Sequence, residues 1–186
     1  TRAALLEEAT ALFAERGFAR TSLEHVASAS QVTRGAVYHH FAGKQALFEA
    51  VLEEQEQRAI EEVTAAATAP DPWDAAMLAL NAFLDKCCDP VYGRLVWKEG
   101  PTALGWHRWR ECEEKYAYGF VERFVRGLID VGYLERTAVE STIRFAFWML
   151  GGAGLALAET PEPDKSRVRD EWSHLIRSSM DALRVR

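Results

Sequence analysis

The chain has 186 residues, enough for one ordinary domain or a small module joined to a larger one. Its 48% hydrophobic and 27% charged composition is that of a soluble globular protein and speaks against a disordered or fibrous one. A net charge of −6 argues against broad nonspecific affinity for DNA, yet the charge is uneven: residues 1–47 carry five basic and four acidic groups, so the acidic excess lies beyond them.

Taken in chain order, nearly every segment has helical period. Leu5, Leu6, Ala9, Leu12 and Phe13 share one helix face, and Gly17 stops that helix. Thr21 or Ser22 caps a short second helix carrying Leu23, Val26 and Ala27. Ser28 to Gln31 form a polar turn, and Thr33 caps a third helix that ends near His40. Gly43-Lys44 restarts the chain into a long helix to about Ala67, and Ala65 to Pro72 reads as a linker. Trp73 to Cys87 form an amphipathic helix ended by Asp89-Pro90, with a shorter one near Val91 to Trp97 before Gly100-Pro101. Ala117 to Ile129 step by threes and fours until Gly132. Val139 to Ala158 is almost wholly apolar, Glu159 to Asp164 is a loop, and the last helix carries Trp172, Ile176 and Met180. The expectation is an all-α protein of about nine helices.

Several function classes recede on inspection. The apolar run Phe145 to Ala158 is too short to span a bilayer, so no membrane role is expected. The three cysteines are an odd number, two of them adjacent, and no secretory segment precedes them, which favours a reducing cytoplasm. No zinc spacing, phosphate loop, dinucleotide fingerprint or nucleophile motif is present; neither a metal, a cofactor nor catalysis is expected.

Residues 21–47, TSLEHVASASQVTRGAVYHHFAGKQAL, hold two short helices a few residues apart, braced by a helix on either side. That is the helix-turn-helix plan, whose second helix enters the major groove. Thr33 caps that helix and leaves backbone N–H groups free for phosphate. Arg34 can donate bidentately to guanine, and Gly35 lets the backbone approach closely. Val37 and Phe41 anchor the helix inward. Tyr38 and His39 then face outward, and His40 lies half-buried. Lys44 opens the next helix beside a phosphate.

The stretch VTRGAVYHHFAGKQALF resembles the recognition segment of the TetR family of transcription regulators, with Thr33, Gly35, Tyr38, Phe41, Lys44 and Leu47 at the recurring positions. The resemblance implies an N-terminal DNA-binding domain, residues 1–47, and a ligand-binding and dimerisation domain, residues 48–186. It implies a cytoplasmic homodimer on palindromic double-stranded operator DNA, released by a small hydrophobic or aromatic effector. Thr33, Arg34, Gly35, Tyr38, His39 and Lys44 would contact DNA. The family usually has Ala-Gly in the turn, where this chain has Ser30-Gln31; if Gln31 takes a positive φ, that costs about 1 kcal/mol relative to Gly. A helical small-molecule-binding or interaction protein with weakened DNA binding is the alternative, with Gln31 as its clue.

All six tryptophans follow Pro72. Each is either a core residue or brace, or part of a pocket wall; on the second reading Trp97, Trp106, Trp109, Phe147 and Trp148 line an effector site. His107, Arg110 or Cys112 would supply its polar contacts. The run Gly151-Gly152-Ala153-Gly154 weakens a helix unless something must approach it closely. In the family the last two long helices form the dimer interface, which would place Gly151, Gly154, Trp172 and Ile176 there.

Overall fold

The computed structural model describes residues 2–185, which are built from helices joined by short turns. The first four helices are α1 (Arg2–Arg16), α2 (Leu23–Ala29), α3 (Arg34–His40) and α4 (Lys44–Ala66). Next come α5 (Pro72–Cys88), α6 (Pro90–Tyr92), a π-helical stretch (Gly93–Glu99) and α7 (Gly100–Leu104). The chain closes with α8 (Trp106–Asp130), α9 (Val139–Glu159) and α10 (Glu162–Ala182). Residues 90–104 run on as one irregular helix, so nine helical rods stand among the described residues.

Local chemistry accounts for most boundaries. Gly17 ends α1 at φ 81°, its N–H donating to the Phe13 carbonyl at 2.9 Å. Ser22 is the cap of α2, in a reciprocal box with His25, whereas Thr21 is buried and hydrogen-bonds the Gly17 carbonyl at 2.9 Å. Gln31 does adopt a positive φ, 55°, and the turn closes around it: the Val32 N–H donates to the Ala27 carbonyl at 3.0 Å. Asp71 and Asp89 cap α5 and α6, each followed by proline at the first helical position, where a missing N–H costs nothing.

Two expectations fail, for definite reasons. The loop expected over Glu159 to Asp164 shrinks to Thr160-Pro161, because Pro161 leads directly into the first turn of α10. Gly100-Pro101 does not end the preceding helix. The Gly100 N–H donates five residues back, to the Leu95 carbonyl, in π register. In that register the Val96 carbonyl would look to residue 101, and proline has no N–H to give. The Trp109 indole supplies the bond instead, its Nε1 donating to the Val96 carbonyl at 2.9 Å. A side chain at position 100 would collide with that indole, since a Cβ there would lie 2.7 Å from Trp109 Cδ1.

One hydrophobic cluster runs from the N-terminal helices into the C-terminal bundle. Phe13, Phe18 and Phe48 join α1 to α4, with the Phe13 and Phe48 rings edge-to-face at 5.0 Å. Helix α9 is long and apolar enough by composition to cross a membrane. It packs instead against α5, α8, α10 and the π stretch, burying Ile143, Phe147, Ala153 and Leu157.

Candidate DNA-binding face and ligand cavity

Helix α3 has one buried residue, Val37, and Phe41 seals the core just beyond it. This fixes the rotation of a two-turn helix, and the remaining residues face out. Thr33 accepts from the Ala36 N–H at 3.2 Å as its cap. Arg34, Gly35, Tyr38 and His39 are exposed, Tyr38 at 45%. His40, expected to be half-buried, is exposed too; it follows Tyr38 and His39 on the helix rim and meets the His39 ring at 5.2 Å. A Cβ on Gly35 would touch only the Thr33 hydroxyl, at 3.8 Å, so packing within the chain does not require glycine there.

Arg34 is already engaged. It forms an ion pair with Glu24 on α2 at 3.0 Å and donates to the Tyr38 hydroxyl at 3.1 Å. Both contacts hold its guanidinium more firmly charged than usual, the Tyr38 bond most, while Glu24's carboxyl is lowered chiefly by its own backbone N–H and Ser22. Lys44 bridges inward as well as outward. Its Nζ donates to the Phe18 carbonyl at 2.8 Å and lies 4.2 Å from the Phe18 ring centroid, which pins α4 to the end of α1. Arg20, Ser22, Arg34, Tyr38 and Lys44 line one shallow groove with Glu24; apart from that carboxylate they are donors suited to an acidic polymer.

In the C-terminal bundle α4, α5, α8, α9 and α10 enclose a cavity with about 130 Å³ of free space. Trp97, Trp109, Phe147 and Trp148 line it. Trp106 and His107 do not. Trp106 is 55% exposed and packs its ring on Trp109, and His107 pairs with Glu111 at the surface, because the first turn of α8 turns both outward. Arg110 and Cys112 are also absent from the wall: they lie one and three residues after Trp109, on other faces of α8.

The polar groups that do reach the cavity are Glu56, Tyr92 and Glu113. Tyr92 donates to Glu56 at 2.8 Å. Burial pushes the Glu56 carboxyl up to about 7, against the Tyr92 bond, which lowers it. Burial raises Glu113 well above the ordinary carboxylate range, and the charge of Glu56 adds to this. The sequence reading named neither acid as a site residue. The signal was there: Glu56 falls on the stripe of Leu52, Ala59 and Val63, and Glu113 on that of Trp109, Ala117 and Val121.

The glycine run is indeed approached closely, but from within the chain. A Cβ on Gly154 would stand 2.4 Å from the Trp97 ring, and one on Gly152 would be 3.6 Å from Trp172. Gly154 and Ile176 are therefore core positions, contrary to expectation, and Gly151 and Ile176 also border the cavity. Trp172 is half-buried over α9. What α9 and α10 leave exposed is a different set: Phe145 at 46%, Trp148 at 36% and Leu175 at 56%.

Comparison with known proteins covers both parts. Residues 5–51 match the family model of bacterial regulatory proteins, tetR family, and residues 73–179 that of a tetracyclin repressor-like C-terminal domain. The Tn10 TetC protein of Escherichia coli is 27% identical over 135 residues, 73% of this chain and 68% of that protein. A probable acrEF/envCD operon repressor of E. coli K12 is 50% identical over 48 residues, 26% of this chain but only 22% of its own length. Among solved structures, a TetR-family transcriptional regulator from Pectobacterium atrosepticum superposes with a TM-score of 0.86 at 26% identity, covering 100% of this chain and 95% of that one.

Proposed function

The chain belongs to the TetR family of bacterial regulatory proteins, ligand-responsive transcription regulators that bind DNA, and on that premise we propose that it is an effector-released repressor of a palindromic operator. The observation that carries the reading is the division of α3, with Val37 and Phe41 held in the core and Thr33, Arg34, Gly35, Tyr38 and His39 turned outward. On this reading Arg34 reads a base edge, while Thr33, Tyr38 and Lys44 hold phosphates and fix the register. Residues 1–47 form the DNA-reading part and residues 48–186 the effector part, with α4 common to both.

The exposed strip of Phe145, Trp148 and Leu175 supports a homodimer through α9 and α10, which sets two recognition helices about 34–36 Å apart. The protein then acts in the cytoplasm, with no catalytic step. An effector in the aromatic cavity has a short route to the DNA helices. Trp97 lines the cavity, and two residues later Glu99 accepts from the Phe18 N–H at 2.9 Å, at the end of α1. Arg94, on the same π stretch, donates to the Glu15 carbonyl at 3.3 Å. The alternative of a binding protein with decayed DNA affinity leaned on Gln31, and that turn keeps its closing bond.

Footprinting on the DNA flanking the gene tests this. A protected sequence of two-fold symmetry is expected, together with reciprocal antagonism between operator and effector. Equal affinity for that DNA and for random sequence would sink the reading.

A further inference from the structure

We propose that the effector of this chain is a small aromatic cation, received between the Glu56 and Glu113 carboxyls that line the cavity; this rests on reading the cavity as the effector site. Glu113 is 4% exposed, lines the cavity, and accepts a hydrogen bond from no described residue. Glu56, 3% exposed on the facing helix α4, has the Tyr92 hydroxyl alone. Among the described residues the wall contains no Lys, Arg or His to balance them. The other titratable group beside the pair is the Cys87 thiol on α5, itself pushed up by burial and therefore neutral.

Two buried acids with one neutral donor between them are costly as anions and poorly satisfied as acids. In the free protein burial favours the protonated form of both, with Glu113 raised well above the ordinary carboxylate range and Glu56 up to about 7. A cationic ligand replaces a proton: the ligand enters, a proton leaves to solvent, and an ion pair forms in an apolar chamber. The rings of Tyr92, Trp97 and Trp109 line the same chamber. An anion would meet two acids there, and a neutral hydrocarbon would leave Glu113 unpaired. The free space, about 130 Å³, suits about one small ring, since an engineered cavity of roughly 150 Å³ accepts benzene.

The test uses the full chain and two isosteric probes, N-methylpyridinium and toluene, which differ in charge and hardly in shape. Binding is followed by tryptophan fluorescence and by calorimetry in two buffers. The cation is expected to bind roughly ten- to a hundredfold more tightly at about pH 8. That advantage should shrink toward about pH 5.5, because Glu56 below its midpoint keeps the proton that the cation must displace. Near pH 6.5 calorimetry should register proton release. Glu56→Gln should remove most of the preference and Glu113→Gln a smaller part, both keeping toluene binding, which also verifies that the variants are folded. If the neutral probe binds as well as the cation, this inference fails and the cavity reading stands. If neither binds at saturation, both fail.

Discussion

Arg34 in the free protein sits between Glu24 and the Tyr38 hydroxyl, so it cannot reach a guanine without giving up an ion pair. All three groups are exposed, and solvent already weakens that pair. Its effect is on selectivity: on random DNA the guanidinium gains only a phosphate and has less reason to leave Glu24. Arg34→Ala should lower operator affinity roughly ten- to a hundredfold and affinity for random DNA much less. Glu24→Gln should do the reverse, raising affinity for random DNA and narrowing the ratio between the two. Polarisation titrations at fixed salt decide the matter; equal losses on both DNAs for Arg34→Ala would make it a phosphate contact. Lys44 is less clean as a probe, because the same ammonium holds α1 to α4 through the Phe18 carbonyl. The outward-facing positions of α3 were legible in the sequence because a seven-residue helix with two apolar anchors has only one way to lie down.

At the scale of elements, the irregular helix of residues 90–104 was the least legible part. A Gly-Pro pair normally stops a helix, and here it does not. The reason is a residue thirteen positions from the carbonyl it serves, Trp109, whose indole N–H completes the broken register at Val96. Trp109→Phe keeps a large ring but leaves that buried carbonyl unpaired, so it should cost about 1–3 kcal/mol. Urea denaturation would measure it, and a loss well below this range would show that another donor serves Val96. The glycine run carries the same lesson. Its spacing announces that something comes close, and only packing shows the visitor to be Trp97 of the same chain rather than a partner helix.

For the whole molecule, the cavity, the π stretch and the end of α1 form one chain of contact, so occupancy of the bundle has a path to the orientation of α3. In the proposed dimer that path acts on DNA through two copies. The exposed strip on α9 and α10 centres on Leu175, 56% exposed. Leu175→Glu should yield monomers in sedimentation with an unchanged helical spectrum, and operator binding should fall with the loss of the second half-site. A dimer that survives this change would move the interface elsewhere.

The sequence alone determined the all-α class, the stops and caps of most helices, and the outward face of α3, because these depend on neighbours within a few residues. Periodicity, a capping hydroxyl and a glycine at φ > 0 act locally and leave local marks. Tertiary structure alone decided which tryptophans enclose the cavity, that Gly154 faces Trp97, and that Glu56 and Glu113 meet in an apolar chamber. Those facts depend on helices brought together from positions 56, 92, 97, 113 and 154. A helix stripe says that a residue turns inward, but the neighbour it finds there is set by how whole helices pack.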